Sequence, residues 1–349
     1  MNEHTSPTID ELARQTQASD YVMLDVRPIA AYNGWRLGGE PRGGHIKGAK
    51  SFPLEWMRYD SWPELLEKKG ISRDQRIVVY GYTMAESDAM RVALTDIGYR
   101  HVRAFDRFHD WSANDNLPMQ RLQRYQHLVY PEWVHALATG KTPPTYDNDC
   151  YVICHASYRY REDYESGHIP GAIHMDTEKL ECSKDWNRRS PDELRRALQD
   201  MGIRHDTTVV LYGRFAHPNN KDEYPGRLAG HLAAMRCAQI LLYAGVTDVR
   251  ILNGGMKAWR AAGYDTVRQE SEVHPVDDFG VEIPQRPELI IDTPEAKRLL
   301  SADDGELVSI RSWEEFIGNV SGYNYIENTG RIPGAVFGNC GSDAYHMEN

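Results

Sequence analysis

The feature that most constrains this chain is a six-residue turn used three times: GHIKGA from Gly44 to Ala49, GHIPGA from Gly167 to Ala172 and GRIPGA from Gly330 to Ala335. The step from position 44 to 167 and then to 330 is that of whole domains, not of a solenoid. Each copy follows a short apolar segment: YVMLDVRP (Tyr21 to Pro28), YVICHASY (Tyr151 to Tyr158) and LVSIRSW (Leu307 to Trp313). Rich in Val, Ile and Tyr and bounded by polar residues, these predict strands. The first two repeats match further. IVVYG (Ile77 to Gly81) pairs with VVLYG (Val209 to Gly213), both continuous apolar runs of the kind found in buried parallel strands. Helical stretches follow, with AMRVAL (Ala89 to Leu94) in one and AMRCAQI (Ala234 to Ile240) in the other. A further strand and a Trp come next, as VRAFDRFHDW (Val102 to Trp111) and VRILNGGMKAW (Val249 to Trp259). Amphipathic segments open all three units, at Ile9, Pro131 and Thr293.

Alternating strand and helix predicts an α/β fold of tandem modules, each a mostly parallel sheet flanked by helices, the third incomplete. The expected bounds are 1–124, 125–272, and 273–349 for a linker plus the first half of the third module. That last piece would lack the central strand of its own sheet and leave an edge and an apolar face uncovered.

Composition acts by exclusion. A formal charge of −11, with Lys and Arg scattered among acids, argues against nucleic acid. No apolar run approaches the roughly 18 residues of a membrane span. The amino terminus, MNEHTSPTIDELARQ, lacks a basic start followed by an apolar stretch, so the expected compartment is the cytoplasm, or the periplasm if a signal has been removed. Five cysteines, Cys150, Cys154, Cys182, Cys237 and Cys340, form an odd and sparse set that fits a reducing compartment better than a disulfide framework. They contain no CxxC pair, which argues against a structural zinc site, and neither a metal nor a cofactor is expected.

A strand ending DVR (Asp25 to Arg27), a GHIxGA turn, a second strand ending in Tyr and a late LNGGMKAW segment, found in order twice and once in a shorter piece, together resemble the rhodanese superfamily in its tandem, three-module form. The resemblance covers nearly the whole chain. It implies a sulfurtransferase: a Cys at the tip of the central strand takes sulfane sulfur from thiosulfate or a similar donor as a persulfide, then passes it to cyanide or a thiol. The chemistry is that of a thiolate nucleophile. A loop of about six residues turns its N–H groups inward, and the start of the next helix adds positive potential, so the persulfide anion is stabilised. The partners implied are a small sulfur donor, a thiol or cyanide acceptor, and in some settings a protein sulfur carrier.

Neither complete repeat carries that Cys. Gly81 follows the first central strand, in a thiol-free loop GYTMAES, and Gly213 follows the second. Residues 214–231, RFAHPNNKDEYPGRLAGH, read as an exposed insertion over the second site. In repeats one and two the loop follows the turn at 44 to 81 and at 167 to 213, so the third loop, with the expected Cys, is placed beyond Asn349. The chain as given is expected to be inactive. The alternative is a non-catalytic rhodanese-like binding or scaffold protein; a phosphatase would need a Cys-x5-Arg loop after the central strand, and none is found there.

The cysteines present have plainer readings. Cys154 heads CHASYR, a Cys-x4-Arg match, but lies in a first strand at the place of Leu24. Cys182 heads CSKDWNR, a Cys-x5-Arg match in a polar loop before the central strand. Cys237 stands where repeat one has Val92, a small buried hydrophobe, and Cys340 has no Arg after it. Cys154 and His155 point to opposite faces of a strand, which disfavours a metal site with Cys150. His45 and His168 recur in the turn, but Arg331 replaces them, so a turn-stabilising role is expected. Arg311, at the strand-end position of Arg27, is the candidate substrate-binding residue of repeat three, with a salt-bridged structural Arg as the other reading.

Overall fold

The computed structural model describes residues 6–15, 21–58, 60, 62–213, 229–322 and 326–338. The chain divides into two compact units, Met1–Leu128 and Val129–Glu348. In the first, strands β1 (Tyr21–Asp25), β2 (His45–Ile46), β3 (Lys50–Ser51), β4 (Arg76–Tyr80), β5 (His101–Phe105) and β6 (Met119–Gln120) form two sheets. A four-stranded sheet has the order β3-β1-β4-β5 with every pair parallel, and β2 and β6 make a small antiparallel ribbon. Parallel strands need crossovers that cover both faces, which is why these strands are apolar on both sides. Val22, Leu24, Ile77 and Val79 pack on one face with Met90 and Leu94 of helix Met84–Asp96. Met23, Val78 and Tyr80 pack on the other with Phe105, Phe108 and Trp111.

The second unit repeats this plan. Strands β7 (Leu128–Val129), β8 (Tyr151–Ser157), β9 (Ile173–Asp176), β10 (Glu181–Cys182), β11 (Asn187–Arg188), β12 (Thr208–Tyr212) and β13 (Asp248–Leu252) precede a last pair, β14 (Val308–Ser309) and β15 (Val336–Phe337). The main sheet runs β7-β13-β12-β8-β9, with β12 parallel to both neighbours, as β4 is in the first unit. Helix Ala229–Ala244 packs on it as Met84–Asp96 packs on the first sheet. Among the described residues no helix is long and apolar enough to cross a membrane.

The third repeat starts as the others do, with a first strand shorter than the sequence suggests. LVSIRSW reads as one strand, but only Val308–Ser309 pairs, in parallel with Val336–Phe337. Ser312 and Glu315 form a capping box that starts helix Trp313–Ile317, so the strand reading fails at its second half. Arg188 donates to both carboxylate oxygens of Asp292, at 3.0 and 3.1 Å, which ties the helix that opens this repeat, Thr293–Leu300, to the β10–β11 hairpin.

All three turns have the same construction. The Ile carbonyl accepts from the Ala N–H three residues on, at 2.9 Å for Ile46 and 3.0 Å for Ile169 and Ile332. The Gly between them is left-handed in each, with φ of 83°, 79° and 86° at Gly48, Gly171 and Gly334. That is a type II turn, which requires φ above zero at its third residue. The residue before Ile clamps the turn to the preceding helix. His45 stacks on Tyr32 at 3.7 Å and bonds its carbonyl at 2.8 Å; His168 does the same on Tyr164, at 3.7 and 2.9 Å. Arg331 lies 4.4 Å over the Phe316 ring and donates to the Phe316 carbonyl at 3.3 Å, so a planar cation does the work of an imidazole.

The tyrosine ending each central strand closes the assembly: Tyr80 Oη accepts from Ile46 N–H at 3.1 Å and Tyr212 Oη from Ile169 N–H at 3.0 Å. Tyr80 also donates to Asp25 at 2.8 Å. Replacing either hydroxyl leaves a buried N–H without an acceptor, which costs about 1–3 kcal/mol. Urea unfolding should therefore show Tyr212→Phe destabilised in that range and Tyr80→Phe destabilised more, because it also removes one of the donors to the buried Asp25 carboxylate; equal or negligible losses would refute this reading.

Candidate active-site loops

A parallel sheet offers its reactive position at the C-terminal tip of the central strand, where a loop leads into a helix. In the first unit that tip is Gly81, and its loop is already filled. Tyr82 and Thr83 both donate their backbone N–H to Glu86 Oε2, at 2.6 and 2.9 Å, and Gly81 donates to Ser87 Oγ at 2.9 Å. Thr83 and Glu86 complete a capping box at the start of helix Met84–Asp96. The amides that would face a persulfide thus bind the protein's own carboxylate. A Cβ at Gly81 would come within 2.8 Å of both the Cβ and Oε2 of Glu86, so a side chain there forces the helix start to shift.

Beside this loop lies a closed ionic network. Arg27 is 0 % exposed and donates to Asp25 through Nε at 3.0 Å and Nη2 at 2.6 Å, to the Gly44 carbonyl at 2.7 Å, and toward Glu40 at 3.5 Å. Its guanidinium lies 3.7 Å over Phe108. Burial disfavours the charge, but the Asp25 carboxylate outweighs it and holds the Arg27 pKa above its ordinary value. Tyr82 Oη donates to Glu40 at 2.7 Å. Every member is used internally, and the result holds the turn against the strand tip.

Arg311 repeats part of that arrangement. It donates to the Gly330 carbonyl at 2.9 Å, as Arg27 does to Gly44, and also to the Ser321 carbonyl and to Glu315 at 3.2 Å.

In the second unit the tip residue is Gly213, whose carbonyl accepts from Met256 N–H at 3.0 Å. The expected insertion falls largely on 214–228, outside the described residues, as does Cys340. The charged network is replaced here. His155 pairs with Tyr212 where Asp25 pairs with Tyr80, so it takes the place of Asp25, and Ser157 takes that of Arg27. Ser157 Oγ and His174 Nε2 are 2.8 Å apart. His155 is 1 % exposed and, among the described residues, neither ring nitrogen has a hydrogen-bond partner; it sits 4.9 Å from the Tyr212 ring and 5.9 Å from Tyr164. Burial, helped by His174, His168 and Arg260, pushes its pKa down to about 3.

None of the described cysteines lies on a strand-to-helix loop. Cys154 is fully buried between Leu211 and Ile173, and burial pushes its thiol far up, as it does that of Cys237 on helix Ala229–Ala244. A thiol held protonated is a poor nucleophile. Cys182 lies in β10 opposite Asn187 of a two-stranded hairpin, and the Arg of its Cys-x5-Arg match, Arg188, is paired with Asp292. Cys150 is exposed, just ahead of β8. No group of His, Cys, Asp and Glu among the described residues is arranged to hold a metal ion.

Two determinants escaped the sequence reading. Glu86 had a signal, the T-x-x-E pattern of Thr83 to Glu86 directly after a strand. His155 had none, since its environment is made by residues distant in sequence.

The neutral His155 has a consequence for stability. Its folded pKa lies below the ordinary 6.5, so its contribution is complete above about pH 6.5 and is lost as pH falls toward 3, because the unfolded chain takes up the proton first. The slope approaches about 1.4 kcal/mol per pH unit. His45 and His174, also lowered by burial, act in the same direction. Denaturant titrations between pH 7 and 4 should show the His155→Phe variant losing about one proton's worth of that slope; an unchanged slope would contradict the buried neutral imidazole.

The repeated parallel sheets and their strand-tip loops define a rhodanese-like module, and comparison with known proteins agrees. The rhodanese-like domain model matches residues 8–114 and 147–262, and the chain belongs to that family. Thiosulfate sulfurtransferase YnjE of Escherichia coli (strain K12) is 37 % identical over 346 residues, covering 98 % of this chain and 74 % of that protein. Sulfur carrier protein TtuD of Thermus thermophilus is 30 % identical over 187 residues, 49 % of this chain and 58 % of that protein. Among solved structures, wild-type EanB superposes with a TM-score of 0.94 at 51 % identity, covering 99 % of this chain and 80 % of that one. A Tyr-to-Phe variant of EanB, solved with a cysteine persulfide in a tetrahedral intermediate state with ergothioneine, gives 0.93 at 50 % identity, covering 99 % and 82 %.

Proposed function

We propose that this chain works within a rhodanese-type sulfurtransferase that moves sulfane sulfur from thiosulfate or a like donor to a thiophilic acceptor. A thiolate attacks the outer sulfur of thiosulfate and sulfite leaves; the acceptor then attacks the terminal sulfur of the persulfide and the thiolate returns. In this reading the modules span 1–124 and 125–272 and supply no nucleophile. The thiolate would belong to the third repeat, begun within 273–349, on the loop after that repeat's central strand, with Arg311 as its candidate substrate-binding residue. What supports the reading is the likeness to a thiosulfate sulfurtransferase over 98 % of this chain; what takes the nucleophile out of the first module is Gly81, since the one strand-tip loop described in full has no thiol and its amides are filled by Glu86.

The close likeness to EanB, whose structures hold hercynine or ergothioneine, supports an acceptor of that kind beside cyanide or a thiol. The likeness to TtuD supports a protein sulfur carrier as partner. The cytoplasm is the proposed compartment, or the periplasm for a chain exported with a signal. A second reading, a non-catalytic scaffold, draws on the same filled loop.

The test is turnover by the 349-residue chain with thiosulfate as donor and either cyanide or hercynine as acceptor. Background rates are expected, and they should persist in Gly81→Cys, because Glu86 occupies the space and the amides. Turnover abolished by Cys154→Ser or Cys182→Ser would identify a nucleophile and overturn the assignment.

A further inference from the structure

The first unit contains a cleft of about 490 Å³ that the sulfur-transfer reading does not use. It is lined by Arg36, Arg42 and Arg121, by the backbone of Gly34 and Gly43, and by Tyr125. In a chain of net charge −11, three guanidinium groups on one concave surface, of which only Arg42 has a carboxylate partner among the described residues, Asp115 at 3.7 Å, leave a local excess of positive charge. Their roles differ. Arg42 is consumed by the fold, donating to the carbonyls of Ser112, Trp111 and Leu117 at 2.8, 3.1 and 3.1 Å, so it braces the wall. Arg36 and Arg121 are exposed, and among the described residues neither pairs with a carboxylate. Arg36 reaches only the Pro41 carbonyl, at 3.5 Å, and Arg121 lies 5.6 Å over the Tyr125 ring.

The floor is bare backbone. A Cβ at Gly43 would come within 2.0 Å of the Gly34 carbonyl oxygen, and one at Gly34 within 2.5 Å of the Tyr125 ring, so side chains are excluded where the walls meet. These glycines let two stretches of the chain's own backbone and the Tyr125 ring close on one another. Two exposed guanidinium groups that pair with no carboxylate among the described residues, beside an aromatic wall, suit a chain with acidic side chains better than a compact inorganic ion, which would fill little of the volume.

We infer that this cleft is a docking site for an extended acidic peptide segment of a partner protein. The loop that carries Arg36 and Arg42 is fastened to the filled first loop: a Cβ at Gly38 would meet the Tyr82 ring at 2.5 Å, and Glu40 accepts from Tyr82. The module that has no thiol would thus retain a recognition role.

The experiment is fluorescence anisotropy of the full chain with a fluorescein-labelled peptide of alternating glutamate and glycine, in about 0.05 M salt. Saturable binding is expected, about tenfold weaker in the doubly reversed variant Arg36→Glu/Arg121→Glu, whose melting temperature should be unchanged because both side chains are exposed. The lysine counterpart of the peptide should not bind. No binding of the acidic peptide, equal binding by the reversed variant, or displacement of the peptide by sulfate but not by chloride at matched ionic strength would each overturn the inference, the last by marking a small-anion site. The readout needs no sulfur transfer, so its failure is separable from failure of the proposed activity.

Discussion

The hydroxyl of the tyrosine that ends each central strand is the contact on which the rest of each complete module depends. By accepting the Ile N–H of the Gly-His-Ile turn, Tyr80 and Tyr212 fix the turn over the sheet's C-terminal edge. The next strand starts immediately after the turn and pairs in parallel with the first strand of the repeat, in all three copies. That geometry determines where a loop can present a nucleophile: one residue past the tyrosine, at the entrance to a helix. Because the backbone there is fixed by buried hydrogen bonds, that one residue is where the proposed function places the nucleophile.

In the first module the amides of the strand-tip loop are taken up by the protein's own side chains. Gly81 leaves room for Glu86 to satisfy the loop amides, and the Asp25–Arg27 pair beside it is neutralised by its own neighbours. Breaking such a buried pair typically costs about 3–5 kcal/mol, so its retention serves the turn and needs no substrate to explain it. The second module meets the same positions differently. His155 stays uncharged among Tyr164 and Tyr212, while Ser157 is satisfied by His174. The shared backbone therefore tolerates an ionic or a neutral lining under the same turn.

The repeat and its parallel strands were legible in the sequence because each lies in one continuous string. Period, apolar runs and the Gly of a type II turn are local signals, and they located β1, β4, β8 and β12 along with the helices that follow β4 and β12. The equivalence of His45, His168 and Arg331 was also visible, although the aromatic partner of each, Tyr32, Tyr164 or Phe316, emerged only from packing. What failed was local as well: LVSIRSW has strand composition throughout, but the capping box of Ser312 and Glu315 outweighs it from Ser312 on. The lining of the strand-tip sites was not legible, because Glu86 takes its meaning from two backbone amides and His155 from rings brought together by three different segments. The Cys-x-Arg spacings misled for the opposite reason, since a spacing on a β-strand or in a hairpin does not make the loop that the same spacing makes ahead of a helix.

The central claim is that topology, not the presence of a thiol, decides where sulfane sulfur can be carried. It is tested most directly by peptide mass spectrometry of the chain after incubation with thiosulfate, read for cysteine residues that have gained one sulfur atom. The account predicts no cyanide-labile sulfur on Cys150, Cys154, Cys182 or Cys237. A stable persulfide on any of these four would contradict it.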